Sequence, residues 1–489
     1  MKAVKLLILL LVLSLLSSCG IIVINDGKET SISDTQEVEI TYNPNDYDTK
    51  PIPNYEDEAK RLLSELPDKN LQGHTVVITS DVAVSGIWDD VEGPYVSSVL
   101  KRNSMITDKY NAVVSSNEAY TAALFEKVKA AYLLDDFYAD FVAIKSGELG
   151  AYYASESITN FKVLTYSDFS APYFNQSAID QMTFGGSIWG VAGSMTESPE
   201  GYGCLFFNKT LGDEIGISIA YGAIYNHEFT WDKLFADLAA AKTENALLTS
   251  SFDDQSLSAV TLLTAGQNYL SKDSQGNLVS NFNTSISNTV IANLKKLASY
   301  RVNEFTVTSN VTDENGIEST ASTKLTGLDI FIKGKSLYAF GRVSDMAKIA
   351  NCGFEWEILP IPMLTEGGRY NAAATDSASV LVLPKSSKSI EQNGYILQAL
   401  GAASYKHTQT EYIKYAMHHY ASSYYTFDML ELIIENPLYD HAIMLGTKYT
   451  NLRSGTYVAF HNAVINNKTL TYYINKSKSN LQKYLNLRN

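Results

Sequence analysis

Thr75-Val76-Val77-Ile78-Thr79 is a compact β-branched run that reads as a buried strand. After a polar loop, Pro94 is well placed as a first helical residue, and Val96, Val99, Asn103, Ile106 and Tyr110 keep roughly helical spacing. Asn117 can cap a further helix, whose Leu124, Val128 and Ala131 form one stripe. Phe137 to Ile144 is strand-like again and ends in Lys145-Ser146-Gly147 before another helical stretch. Strands alternating with helices in this order imply an α/β fold with a parallel-type sheet.

The same alternation continues toward the C-terminus. Ile188-Trp189-Gly190-Val191, Cys204 to Phe207, Leu337 to Phe340 and Val380 to Leu383 read as strands. Thr230-Trp231-Asp232-Lys233 opens a helix with Leu234, Phe235 and Leu238 facing inward, and Glu391 to Ser404 is another helix. Two polar tracts, Ser271 to Asn288 and Asn303 to Thr326, read as surface loops or excursions. A length of 489 residues suggests about three domain-sized units. With no internal repeat and no long linker inside the body, one bilobal unit fits better.

Ahead of the body, Lys2 and Lys5 precede an apolar run from Leu6 to Leu16, then small residues, which is a secretory signal layout. The run is shorter than the ~20 residues that span a bilayer. Leu16-Ser17-Ser18-Cys19 resembles the bacterial lipobox, which implies lipidation at Cys19 and a mature chain that starts there. From Asn25 to about Pro53 the chain is polar without periodicity and reads as a tether; Pro53 to Leu66 has the spacing of a short helix.

Composition narrows the function. At 45% hydrophobic the chain is not wholly disordered, and 38 basic against 53 acidic residues, net −15, argue against a nucleic-acid partner. Three cysteines are too few for a disulfide scaffold; Cys204 and Cys352 are either a permitted extracellular pair or buried thiols. None of the seven His makes a zinc-protease helix, and no Gly-x-Ser-x-Gly elbow, phosphate loop or dinucleotide fingerprint occurs. Acidic neighbours such as Asp89/Asp90, Asp135/Asp136 and Asp253/Asp254 read as solvated surface. No metal, cofactor or catalytic set is expected, and the chain reads as a non-enzyme.

Several phrases together resemble the extracellular solute-binding proteins of family 1, the lipoprotein receptors of carbohydrate ABC importers. Leu100-Lys101-Arg102-Asn103 with Lys109-Tyr110-Asn111 is similar to the family's "RN…I…KYN" helix. Gly185 to Val191 followed by Gly203 to Lys209 resembles "GKLYGVP … LYYNK", and Phe229 to Leu234 resembles "TWDEL". Gly353 to Pro362, with Val382-Leu383-Pro384-Lys385 after it, resembles "FGVAPLP … LAIPK".

The resemblance implies a two-lobed, periplasmic-binding-protein-like fold of type II, with hinge-linked lobes and ligand in the cleft. It places residues 67–205 with 376–430 in lobe 1 and 206–375 with 431–489 in lobe 2, behind a signal peptide (1–18) and a lipidated tether (19–66). It further implies a monomer outside the cell membrane, held there by its N-terminal lipid, with ABC permease subunits as partners and a sugar or oligosaccharide as ligand. The same fold binding a peptide or other solute, and a surface glycan-degrading enzyme, are the alternatives.

Ligands of open α/β sheets bind beyond the carboxyl ends of the strands. Candidate contacts are therefore Trp88, Asp89 and Glu92 after the first strand, and Ser146 and Gly147 after the strand ending at Ile144. The resemblance further implies Trp189, in place of the family's usual Tyr, and Tyr202 beside the expected crossing. It also implies Arg342 after its strand, where these receptors often present a ligand contact, and Asp376 before the return crossing. Pyranose faces stack on Trp or Tyr, and their hydroxyl edges need carboxylates, amides or guanidinium.

Overall fold

The structure is a computed structural model. It describes residues 55–80, 95–116, 123–196, 199–241, 246–312, 318–421, 423 and 425–488. The signal and lipidation stretch with Cys19, and the candidates Trp88, Asp89 and Glu92, lie outside the described residues.

Two separate sheets organise the chain. The first contains β1 (His74–Ser80), β2 (Ala112–Ser116), β3 (Phe141–Lys145) and β4 (Ile158–Thr159). The second contains β5 (Gly203–Asn208), β6 (Ala246–Ser250), β7 (Ser336–Arg342) and β8 (Trp356–Leu359), and β9 (Ser379–Pro384) returns to the first. The first sheet has the order β2-β1-β3-β9-β4, with β1 parallel to β2 and β3, and β9 antiparallel to β3 and β4. The second has the order β8-β5-β7-β6, with β7 parallel to β6 and antiparallel to β5. Buried parallel strands need apolar residues on both faces. Phe141 to Ile144 in β3 are buried accordingly, and the antiparallel β9 between β3 and β4 is buried along its whole length as well.

Helices cover both sheets. Glu56–Glu65 buries Ala59, Leu62 and Leu63 and packs on Ile390–Ser404, which also meets Val96–Tyr110. Trp231 is buried at the start of its helix, its ring stacked 6.0 Å from that of Phe340. Tyr425–Ile434 packs on β8, His441–Gly446 on the segment 146–154, and Tyr457–Ile465 on Asp254–Thr264. Cys204 and Cys352 are both free thiols. Among the described residues no helix is long and apolar enough to cross a membrane.

The expected polar loops are a finding in the other direction: both tracts carry β-hairpins. Leu270–Lys272 pairs with Leu278–Ser280, and Glu304–Thr312 pairs with Glu318–Thr326 over its whole length. The second hairpin is dominated by Thr and Ser, which suit a pleated surface without adding hydrophobicity. Its footing is a small cluster of Leu325 and Ile330 with Val302, Phe305 and Val307.

Between the sheets, three stretches of backbone run side by side. Tyr202 bridges Ala374, Ala372–Ala373 pairs with Pro437–Leu438, and Thr375 donates its N–H to Gly201 O at 3.1 Å. Gly201 is required there, because a Cβ would sit 2.7 Å from the backbone of Ala378. No side chain fits between crossing strands that close.

Candidate ligand crevice at the carboxyl ends of the strands

The parallel strands of both sheets end toward the same place. β3 ends at Lys145, and the turn Ser146–Glu148 follows at once. Ser146 donates its N–H to Ala378 O at 2.7 Å and its hydroxyl to Thr375 O at 2.8 Å. Gly147 donates its N–H to Asp376 O at 2.9 Å. From the second sheet, β6 leads past Ser250 to Phe252, and β7 ends at Arg342. Arg342 reaches back to the return segment: its Nε donates to Thr375 Oγ1 at 3.3 Å, and its Nη2 lies 3.4 Å from Asp376 Oδ1. The guanidinium carbon stands 4.8 Å from the centre of the Phe252 ring.

Fixed groups hold this arginine in place. Asp345 accepts the Arg342 N–H at 3.0 Å and the Ser251 hydroxyl at 2.9 Å, both on Oδ2, while Lys348 meets its Oδ1 at 2.8 Å. Asp253 caps the neighbouring helix by accepting the N–H groups of Gln255 and Ser256, each at 2.9 Å. The backbone around the site is thus tied down while the tips of Arg342 and Asp376 stay partly exposed, at 26% and 57%.

Phe252, Ser256, Arg342, Asp376, Thr447 and Tyr457 line a crevice of ≈ 50 Å³. That is room for a few waters, since one needs about 10–15 Å³ of such space. Small-molecule pockets hold about 300–1,000 Å³. The crevice as it stands is thus smaller than a small-molecule site. An aromatic ring, a guanidinium and a carboxylate around one space are suited to a ring with an apolar face and a hydroxyl edge.

The structure brings Ser146, Gly147, Arg342 and Asp376 together. Trp189 and Tyr202 take other places. Trp189 donates its indole N–H to Phe184 O at 3.1 Å and sets its ring edge-on to Tyr153 at 4.7 Å. Tyr202 is buried, with its backbone in the crossing strands. Phe252 and Tyr457 were not among the sequence candidates. Phe252 did carry a signal, because it follows a strand end; Tyr457 opens the helix Tyr457–Ile465 and carried none. Among the described residues no group of three or more His, Cys, Asp or Glu is placed to hold a metal ion.

Gly147 ties this geometry to a test. A Cβ on it would lie 2.9 Å from Asp376 Cβ and 3.2 Å from Asp376 O. Gly147→Ala is expected to displace Asp376 and weaken ligand binding by about tenfold, the order of one lost hydrogen bond. Calorimetric titration checks this, and unchanged affinity would show that Asp376 does not touch ligand.

No family model matches the chain, and no curated protein sequence does. Solved structures of the same architecture do match. The cyclic α-maltosyl-1,6-maltose binding protein from Arthrobacter globiformis is 12% identical, with 84% of this chain and 99% of that chain covered and a TM-score of 0.56. A cyclo/maltodextrin-binding protein complexed with maltotetraose is 12% identical over 85% and 98% of the two chains, at 0.54. The galacto-N-biose/lacto-N-biose I-binding protein of the ABC transporter from Bifidobacterium longum is 12% identical over 85% and 97%, at 0.50. Likeness at such low identity speaks for architecture, and the architecture is that of the two-lobed, periplasmic-binding-protein-like α/β fold.

Proposed function

We propose that the chain is an extracytoplasmic receptor, lipid-anchored through Cys19, that captures a carbohydrate for the permease subunits of an ABC importer. The observation that carries this reading is the crevice itself. Parallel strands of both sheets end at it, and it presents Arg342 over Phe252, Asp376 and Tyr457. The ligands of proteins with this fold, maltotetraose and lacto-N-biose, support the choice of a sugar. In this reading the monomeric body opens, takes the sugar between its walls, and closes by rotation about the crossing strands. Binding and release are its whole chemistry, with no bond made or broken in the ligand.

Thermal unfolding with a panel of mono- and oligosaccharides tests the reading. A sugar at 100 times its dissociation constant is expected to add about 2.7 kcal/mol of stability. If no sugar shifts the transition, the carbohydrate assignment falls. A shift with small anions or peptides that weakens with salt would then favour a non-sugar solute on Arg342.

A further inference from the structure

A second space, of ≈ 620 Å³, lies among the segments 172–175 and 193–194, the helix His407–His419 and the helix Tyr425–Ile434, with Pro437 of the crossing strands on its wall. β5 runs from Gly203, paired with Arg342 at the crevice, to Asn208, paired with Trp356 at the far end. The chain leaving that far end forms the helices Lys209–Ile215 and Tyr221–Tyr225, and Tyr225 borders the space. Unlike the crevice, this groove already falls within the ~300–1,000 Å³ of small-molecule sites.

Its walls carry three kinds of group. Tyr225 is 38% exposed and donates its hydroxyl to Asp428 Oδ2 at 2.7 Å. Lys406 sits in the left-handed backbone region, φ +53°, which a side-chain-bearing residue adopts only at a cost of about 1–3 kcal/mol. That turn sets its ammonium 5.3 Å from the Tyr55 ring centre and 5.7 Å from that of Tyr405. Gln409 adds an amide, which both donates and accepts, whereas the Asn175 amide is engaged with Pro437 O and the Ala178 N–H. Aromatic faces with donors and acceptors at their margins match a sugar ring as the crevice does. The acids on the walls outnumber Lys406, which disfavours an anionic occupant.

We infer that this groove is a second carbohydrate site, independent of the crevice, for a neutral sugar ring or short oligosaccharide. The choice of ligand class rests on the receptor reading above, whereas the site rests on the groove's own geometry. Titration calorimetry with maltose, maltotetraose and lacto-N-biose on the wild-type protein is expected to find two sites for at least one of them. Gln409→Trp, which fills the groove from a half-buried helix position, and Tyr225→Ala, at an exposed position, should each weaken one site at least tenfold and leave the other within twofold. Arg342→Ala should do the converse. Should Gln409→Trp fail to fold, Tyr225→Ala alone carries the comparison. One site lost only to Arg342→Ala overturns the groove and leaves the receptor reading standing. One site lost only to the groove variants overturns the crevice and keeps the groove. No heat with any of the three sugars overturns the sugar-binding groove; whether the receptor reading falls with it is decided by the wider panel above.

Discussion

Glu357→Leu is expected to cost about 3–9 kcal/mol of folding stability, and Glu357→Gln no more than about 1–2 kcal/mol. Glu357 lies in β8, opposite Phe207 of β5, and is fully buried. Its Oε1 accepts the Thr426 hydroxyl at 2.7 Å, and its Oε2 accepts those of Tyr221 at 3.0 Å and Ser423. One carboxylate thus fastens the helices Tyr221–Tyr225 and Tyr425–Ile434 to the second sheet. Leucine would fill the volume but strand three hydroxyl donors, each costing about 1–3 kcal/mol when buried unpaired. Glutamine keeps a carbonyl acceptor in place.

The same residue gives stability a pH signature. Burial raises the Glu357 carboxyl above the ordinary carboxylate range, with the hydroxyl donors opposing it only in part. A raised acid holds more protons folded than unfolded, so its contribution falls as pH rises from the unfolded value, about 4.3, toward the folded one. Urea unfolding of wild type and Glu357→Gln across pH 4 to 8 checks this. The stability of wild type relative to the Gln variant should decline over that window and then level; a difference that grows with pH would refute the account.

What the sequence made legible follows from how each element earns its stability. β1, β3 and β9 were readable because β-branched and apolar residues fill both faces of a covered sheet, a local pattern. The hairpin Glu304–Thr312 with Glu318–Thr326 was not, because Thr and Ser hide its alternation behind a polar average. At the candidate site, Ser146, Gly147 and Arg342 stand at or just after strand ends, where ligands gather, while Asp376 was reached only through the return crossing that the family resemblance implied. Tyr457 arrives there only because Tyr457–Ile465 packs on Asp254–Thr264, a long-range contact with no local trace. Trp189 marks the opposite limit. An indole in a strand-like run packs as well edge-on against Tyr153 as face-on against a sugar, and residue type alone does not choose between them.

Arg342→Ala is expected to weaken crevice binding of a sugar by about 10- to 150-fold, the value of about 1.5–3 kcal/mol for hydrogen bonds to a charged group. The guanidinium is the group best placed to be asked for this. It projects from the end of β7, stacks on Phe252, and touches Thr375 and Asp376 on the segment that returns to the first sheet. In the proposed receptor it lines the space that a ligand would enter, and the present contact to Asp376 is easily exchanged. At 3.4 Å it is long for a charged hydrogen bond, and both partners are partly exposed, so it contributes about 0–1 kcal/mol. Folding stability should therefore hardly change in the Ala variant, which separates a ligand contact from a structural brace. Arg342→Lys restores charge without the planar stack on Phe252 and should recover only part of the affinity. Titration of the three proteins, with thermal unfolding beside it, decides the matter. Affinity within twofold of wild type for Arg342→Ala would remove Arg342 from the site. A large loss of stability alongside the affinity loss would instead make it a brace between the two sheets.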